Sequence, residues 1–143
     1  MKKILFIAAL LILASCKKQT ISSEEKIYDY ADVRDYFIKW EEILSIDKEH
    51  YYAYVFSFSC GHCKEIKQDI LTKVIEDGWN IYFIEYESDI PIVDSSVPYV
   101  GVSNYQELGI IGTPTLFEIS NKIVVDRFTG SKEIITTLYS VSQ

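Results

Sequence analysis

The stretch Tyr51 to Phe58, "YYAYVFSF", is apolar and aromatic at almost every position. A strand with one wet face alternates apolar and polar residues. A strand without that alternation is buried on both sides, as in a parallel sheet covered by helices. The run leads directly into Ser59-Cys60-Gly61-His62-Cys63. Beyond it Ile66, Ile70, Leu71, Val74 and Ile75 recur at helical spacing, and Gly78 is a stop signal. Ile81 to Tyr86 reads as a second internal strand. A strand–helix–strand order predicts a parallel pair with a right-handed crossover. The class is therefore α/β, with the two cysteines where the first strand turns into the helix.

Upstream, Val33, Tyr36, Phe37, Trp40, Ile43 and Leu44 fall on one face of a predicted helix, with Asp29 or Asp32 at its start. Downstream, Glu87 to Val102 carries Pro91, Pro98 and Gly101 and reads mostly as loop. Ser103-Asn104-Tyr105-Gln106 fits a capping box opening a short helix that Gly109 can end. Thr115–Ile119 and Ile123–Phe128 are two β-like runs separated by Ser120-Asn121-Lys122, the spacing of an antiparallel hairpin. Ser131 can cap a last helix whose inner face is Ile134, Ile135, Leu138 and Val141.

The start of the chain has a different character. Lys2 and Lys3 precede an unbroken apolar run, Ile4 to Ala14, too short to span a bilayer as a stable helix but suited to the core of an export signal. It ends in Leu13-Ala14-Ser15-Cys16, which resembles the bacterial lipobox. The resemblance implies cleavage before Cys16 and lipidation of its thiol, and several acyl chains are what stable anchoring requires. Residues 1–15 are thus expected to be a lipoprotein signal peptide, 16–26 a lipidated polar tether, and 27–143 one domain. The domain is expected outside the cytoplasm, anchored to the membrane by its lipid. The net charge of −7 becomes more negative once Lys2 and Lys3 are removed, which argues against nucleic acid as a partner.

Three cysteines is an odd number for an exported chain. Lipidation of Cys16 would leave Cys60 and Cys63 as a pair in an oxidising compartment. C-x-x-C is also half of a zinc site, but no second Cys/His pair exists, and His50 lies at the far end of the strand from Cys60, so no metal is expected. Disulfide exchange needs one thiolate to attack and a second thiol to resolve the mixed disulfide. Cys60, at the first turn of the helix, is the expected attacking residue, its thiolate favoured by free backbone N–H groups and the helix dipole. Cys63, on the same side, is the expected resolving residue. Gly61 would let the chain turn tightly and leave the sulfur open. His62 would favour the Cys60 thiolate and make the pair more oxidising.

"YVFSFSCGHCKEI" followed much later by "LGIIGTPTLFEI" resembles the thioredoxin superfamily, and the inner Cys-Gly-His-Cys is similar to that of protein disulfide isomerase. The resemblance spans about Tyr30 to Gln143. It implies a thioredoxin-like fold, a central mixed sheet flanked by helices. It also implies a cis peptide at Pro114, with Thr113 and Pro114 forming a substrate-facing wall beside the cysteines. Two departures stand out. The family's usual buried acid, six residues before the first cysteine, is Tyr54 here, so resolution at Cys63 lacks its usual proton acceptor. The segment between motif and proline is also longer than in a minimal thioredoxin, the excess falling in about Glu87 to Ser103 and reading as a surface insertion rather than a substrate lip. The expected function is a membrane-anchored thiol–disulfide oxidoreductase, monomeric and without external cofactor. Its partners would be cysteines of exported proteins or a redox partner, with the direction of electron flow open. The alternative is a non-catalytic, thioredoxin-like accessory lipoprotein of a transport system.

Overall fold

The computed structural model describes residues 25–140. The expected signal peptide, lipidation at Cys16, most of the tether and Val141 lie outside the described residues. No helix of the described part is long and apolar enough to cross a membrane.

In chain order the elements are β1 (His50–Phe56), α1 (Gly61–Glu65), α2 (Lys67–Ile75), β2 (Ile81–Glu85), β3 (Thr115–Ser120), β4 (Ile123–Thr129) and α3 (Ser131–Ser140). The sheet runs β2-β1-β3-β4. β1 and β2 are parallel, with α1 and α2 as the crossover, whereas β1–β3 and β3–β4 are antiparallel. The hairpin turn is Asn121-Lys122, both at positive φ, which matches the twist of a two-residue β-hairpin.

β1 sits at the centre and is buried throughout except at His50. Its alternate residues serve two cores. Tyr52, Tyr54 and Phe56 pack with Ile70, Leu71, Val74, Ile134 and Leu138 of α2 and α3. Tyr51, Ala53 and Val55 face Trp40, Ile43, Ile90, Leu108 and Ile110. The expected two-sided burial is therefore real, but helices cover only one of the two faces. Short 3-10 turns and loops cover the other.

The helix predicted from Val33 to Leu44 does not form as one unit. Two 3-10 helices, Tyr30–Tyr36 and Trp40–Glu42, flank an extended Phe37. Phe37 makes a parallel bridge to Phe83, and the Ile38 N–H donates to the Phe83 carbonyl at 3.0 Å. The exposed edge of β2 offers backbone partners to this aromatic, β-branched stretch, and that pairing overrides the helical periodicity. Tyr36 is consequently exposed rather than part of an apolar helix face. Asp29 caps the first turn, and Asp32 bonds back to the Asp29 N–H at 2.8 Å, a reciprocal capping box.

The Glu87 to Ser103 segment is built into the fold. Val93 N–H donates to Ile110 O and Ile110 N–H to Pro91 O, both at 2.9 Å. Gly101 N–H donates to Val124 O at 2.8 Å and Val124 N–H to Val102 O at 3.0 Å, which ties the segment to β4. Arg127, nearly buried, donates to Gly109 O at 3.2 Å with its guanidinium 4.3 Å from the Tyr99 ring centre. The segment forms part of the lid over the second core. Gly109 does not end the 3-10 helix Tyr105–Glu107, whose cap is Leu108. A Cβ at Gly109 would lie 2.4 Å from a Val93 methyl, so close approach is what requires glycine there.

Candidate active site

The end of β1 delivers the chain into a tight turn, where Cys60 N–H donates to Ser57 O at 3.1 Å. Cys60 is the N-cap of α1, and its sulfur accepts the Cys63 N–H at 3.3 Å. A sulfur in the capping position satisfies an otherwise unpaired donor and gains from it once ionised. The Cys60 thiol donates in turn to the Thr113 carbonyl at 3.3 Å. Thr113–Pro114 is a cis peptide, as the resemblance implied. Pro114 is held from behind by Gly130, whose N–H donates to Pro114 O at 2.9 Å, and Gly112 by the Thr115 hydroxyl at 2.7 Å. The fold thus brings Cys60, Cys63, Thr113 and Pro114 together from two ends of the chain.

Both cysteines are free, but their settings differ. Cys60 is half-buried. That partial burial opposes ionisation, but hydrogen bonds from the Cys63 and Thr113 side chains and the Cys63 and His62 backbone outweigh it, and its pKa is lowered. Cys63 is 1% exposed. Burial first, then the neighbouring Cys60, pushes its thiol up to about 11. Cys60 is thus the more readily ionised thiol and Cys63 the less readily ionised one.

The expected free N–H groups at the start of α1 are among the groups that bond to Cys60, from the Cys63 and His62 backbone. α1 itself is short, five residues, and the chain departs from helical angles at Ile66 (φ −102°, ψ 5°) before α2 starts. One expectation needs correction. Gly61 is not at positive φ and serves no tight turn; nothing lies within 4 Å of where its Cβ would stand, so its effect is to leave the Cys60 side open.

His62 is an exposed residue, its side chain 68% accessible. Its Nδ1 lies 3.1 Å from Glu65 Oε2, and that contact, with the charge of Glu65, raises the pKa of the ring; the nearby Cys60 adds to the effect. The ring therefore engages Glu65 rather than a sulfur, a partner that the sequence reading did not name. The His62 backbone N–H is the part of the residue that acts directly on Cys60.

Tyr54 occupies the place where an acid was expected. It is fully buried, and its hydroxyl has no hydrogen-bond partner. At the opposite end of β1, His50 pairs with Glu118 at 2.9 Å, far from the cysteines as expected. Among the described residues no group of three or more His, Cys, Asp or Glu is arranged to hold a metal ion.

A parallel β1–β2 pair with its helical crossover, an antiparallel hairpin closing on α3, and a cis-proline facing the cysteine turn together make a thioredoxin-like α/β fold. Its two cysteines sit at the turn from β1 into α1, with the Cys60 sulfur against the Thr113 carbonyl. No protein-family model matches the chain, and no curated protein matches it. Solved structures similar to it include thioredoxins. Thioredoxin f2 from Chlamydomonas reinhardtii is 17% identical, with a TM-score of 0.47, over 73% of this chain and 93% of that one. Spinach chloroplast thioredoxin f (long form) is 18% identical, with a TM-score of 0.47, over 73% and 83%. Thioredoxin O2 from Arabidopsis thaliana, in its oxidised state, is 14% identical, with a TM-score of 0.48, over 77% and 97%.

Proposed function

We propose that this chain is a thiol–disulfide oxidoreductase in which Cys60 attacks and Cys63 resolves. The observation that carries the reading is the Cys60 sulfur. It is half-exposed, holds the Cys63 N–H, and lies against the Thr113 carbonyl beside Pro114. The Cys60 thiolate attacks a substrate disulfide, one substrate sulfur leaves as a thiol, and a mixed disulfide forms. Cys63 then displaces the second substrate thiol and closes the Cys60–Cys63 bond. The same steps in reverse oxidise a dithiol. The electrons move through the two cysteines, so the reaction requires no external cofactor.

In this reading residues 1–15 direct export, Cys16 carries the lipid, and the domain works as a monomer at the outer side of a membrane. Its substrates are cysteines of exported proteins or a membrane redox partner. The amino-terminal pattern supports this placement.

The test is a Cys63→Ser chain expressed in cells. It should accumulate mixed disulfides that a reductant releases and that disappear when Cys60 is also replaced. If nothing is trapped, and purified protein neither reduces insulin nor assists oxidative refolding, the chain is a binding module and the redox reading fails. Alkylation of the two cysteines in living cells sets the direction. A resident disulfide marks an oxidant, a resident dithiol a reductant or isomerase.

A further inference from the structure

Tyr54 is the only residue among those described with a fully buried side-chain polar atom lacking a hydrogen-bond partner. An unpaired hydroxyl in a core is destabilising, and phenylalanine would fill the same space without that cost. The hydroxyl is not in a random part of the core. Tyr54 lies in the same buried cluster as Cys63, under the turn that carries both cysteines, and its strand partner Leu116 is two residues from Pro114. Its ring stacks on Phe56 and meets Phe83 edge-on, which leaves it little freedom to turn away.

The geometry points to Tyr54 as the hydrogen-bond donor that receives the Cys63 sulfur when it becomes a thiolate in the resolving step. This rests on the redox reading above and names a group that serves it. Burial first, then the nearby Tyr30 and Cys63, holds the Tyr54 phenol well above its ordinary pKa, so it stays protonated and cannot act as a base. It plays the part opposite to that of a buried acid: it gives a hydrogen bond and keeps its proton. In the mixed disulfide, the Cys63 S–H bond breaks and its proton goes to a solvent base. Access is through a cavity of about 290 Å³ that reaches Cys63 between Tyr30, Phe58 and Lys67. The Cys63 thiolate, held by the Tyr54 O–H, then forms the bond to Cys60, and the sulfur of the substrate leaves with the electron pair and takes up a proton.

The other titratable groups around this point are Cys60 from the turn, Tyr30 of the first 3-10 helix and its cap Asp29, Lys64 of α1 and Lys67 of α2. Lys67 pairs with Asp29 at 3.0 Å and lies 5.0 Å from the Tyr30 ring centre, so its charge is already engaged at the cavity mouth.

The experiment follows the reduced full-length chain reacting with a chromogenic aromatic disulfide. The first release of coloured thiol reports attack by Cys60, and the second reports resolution by Cys63. In a Tyr54→Phe chain the first release should stay within about twofold of wild type. The second should slow about tenfold near neutral pH, the size of one hydrogen bond to a charged sulfur, with its pH midpoint moved upward. The urea midpoint should not fall, because the variant removes an unpaired hydroxyl. A second release unchanged in rate and pH midpoint overturns the assignment. So does a loss of stability that slows both releases together, which would make Tyr54 a packing residue. A wild-type chain with a first release and no second sinks the redox reading itself, and the Tyr54 assignment with it.

Discussion

At Cys60 hydrogen bonds favour the thiolate, while at Cys63 burial favours the thiol, and the two sulfurs separate in acidity although three residues apart. A lowered pKa means more thiolate at a given pH. Alkylation of the reduced chain should therefore modify Cys60 first, with a pH midpoint below that of a free thiol. Cys63 should resist until strongly alkaline pH, as read by peptide mass after quenching at each pH. Similar midpoints for both sulfurs would remove the basis for assigning their roles. The charge of His62 is governed by Glu65. Since Glu65 raises the imidazole pKa, the pair's stabilisation is complete below the ordinary imidazole value and is lost as pH rises through the raised one. Glu65→Gln should bring the His62 midpoint down in an NMR titration. His62→Pro should lower the reduction potential of the pair in a glutathione titration, because it removes a backbone N–H that favours the Cys60 thiolate.

Among the elements, β1, β2 and the β3–β4 hairpin were legible in the sequence because their signal is local: uninterrupted apolar runs, turn residues and spacing. The helix drawn through Val33 to Leu44 was not, because the edge of β2 competes for Phe37 and Ile38, and periodicity carries no information about a distant strand edge. The Glu87 to Ser103 segment shows the same limit. Its sequence, punctuated by proline, serine and glycine, reads as a tolerated loop, yet backbone pairs with Ile110 and Val124 hold it over a core. Gly109 packs closely against that segment. Gly109→Ala would set a methyl against Val93 and the Pro91 carbonyl, at 2.4 and 2.9 Å before any movement. Overpacking of this kind costs about 1–3 kcal/mol, and urea unfolding should show a lower midpoint. A Gly61→Ala control, with open space around it, should leave the midpoint where it is.

At the scale of the whole molecule, the mixed sheet places the end of β1 beside the start of β3, so residues 60 and 113 meet although 53 positions separate them. α3 completes the first core through Ile134 and Leu138, and the Tyr139 hydroxyl anchors it to Asp69 of α2 at 2.7 Å. The amino-terminal pattern makes its own prediction at this scale. Cys16→Ala should abolish fatty-acid labelling and release the chain from membranes, and a variant that still fractionated wholly with membranes would count against the lipid anchor. The sequence by itself determined the α/β class and the cysteine pair at a strand-to-helix turn, because these depend on residue type and spacing along the chain, whereas the proline opposite the pair was implied only by the family resemblance. Only the tertiary structure decided what sets the two thiols apart, that His62 turns to Glu65, and that the Tyr54 hydroxyl is left unpaired in the cluster that holds Cys63. Acidity and hydrogen bonding are properties of what surrounds a group, and those surroundings come from residues remote in sequence.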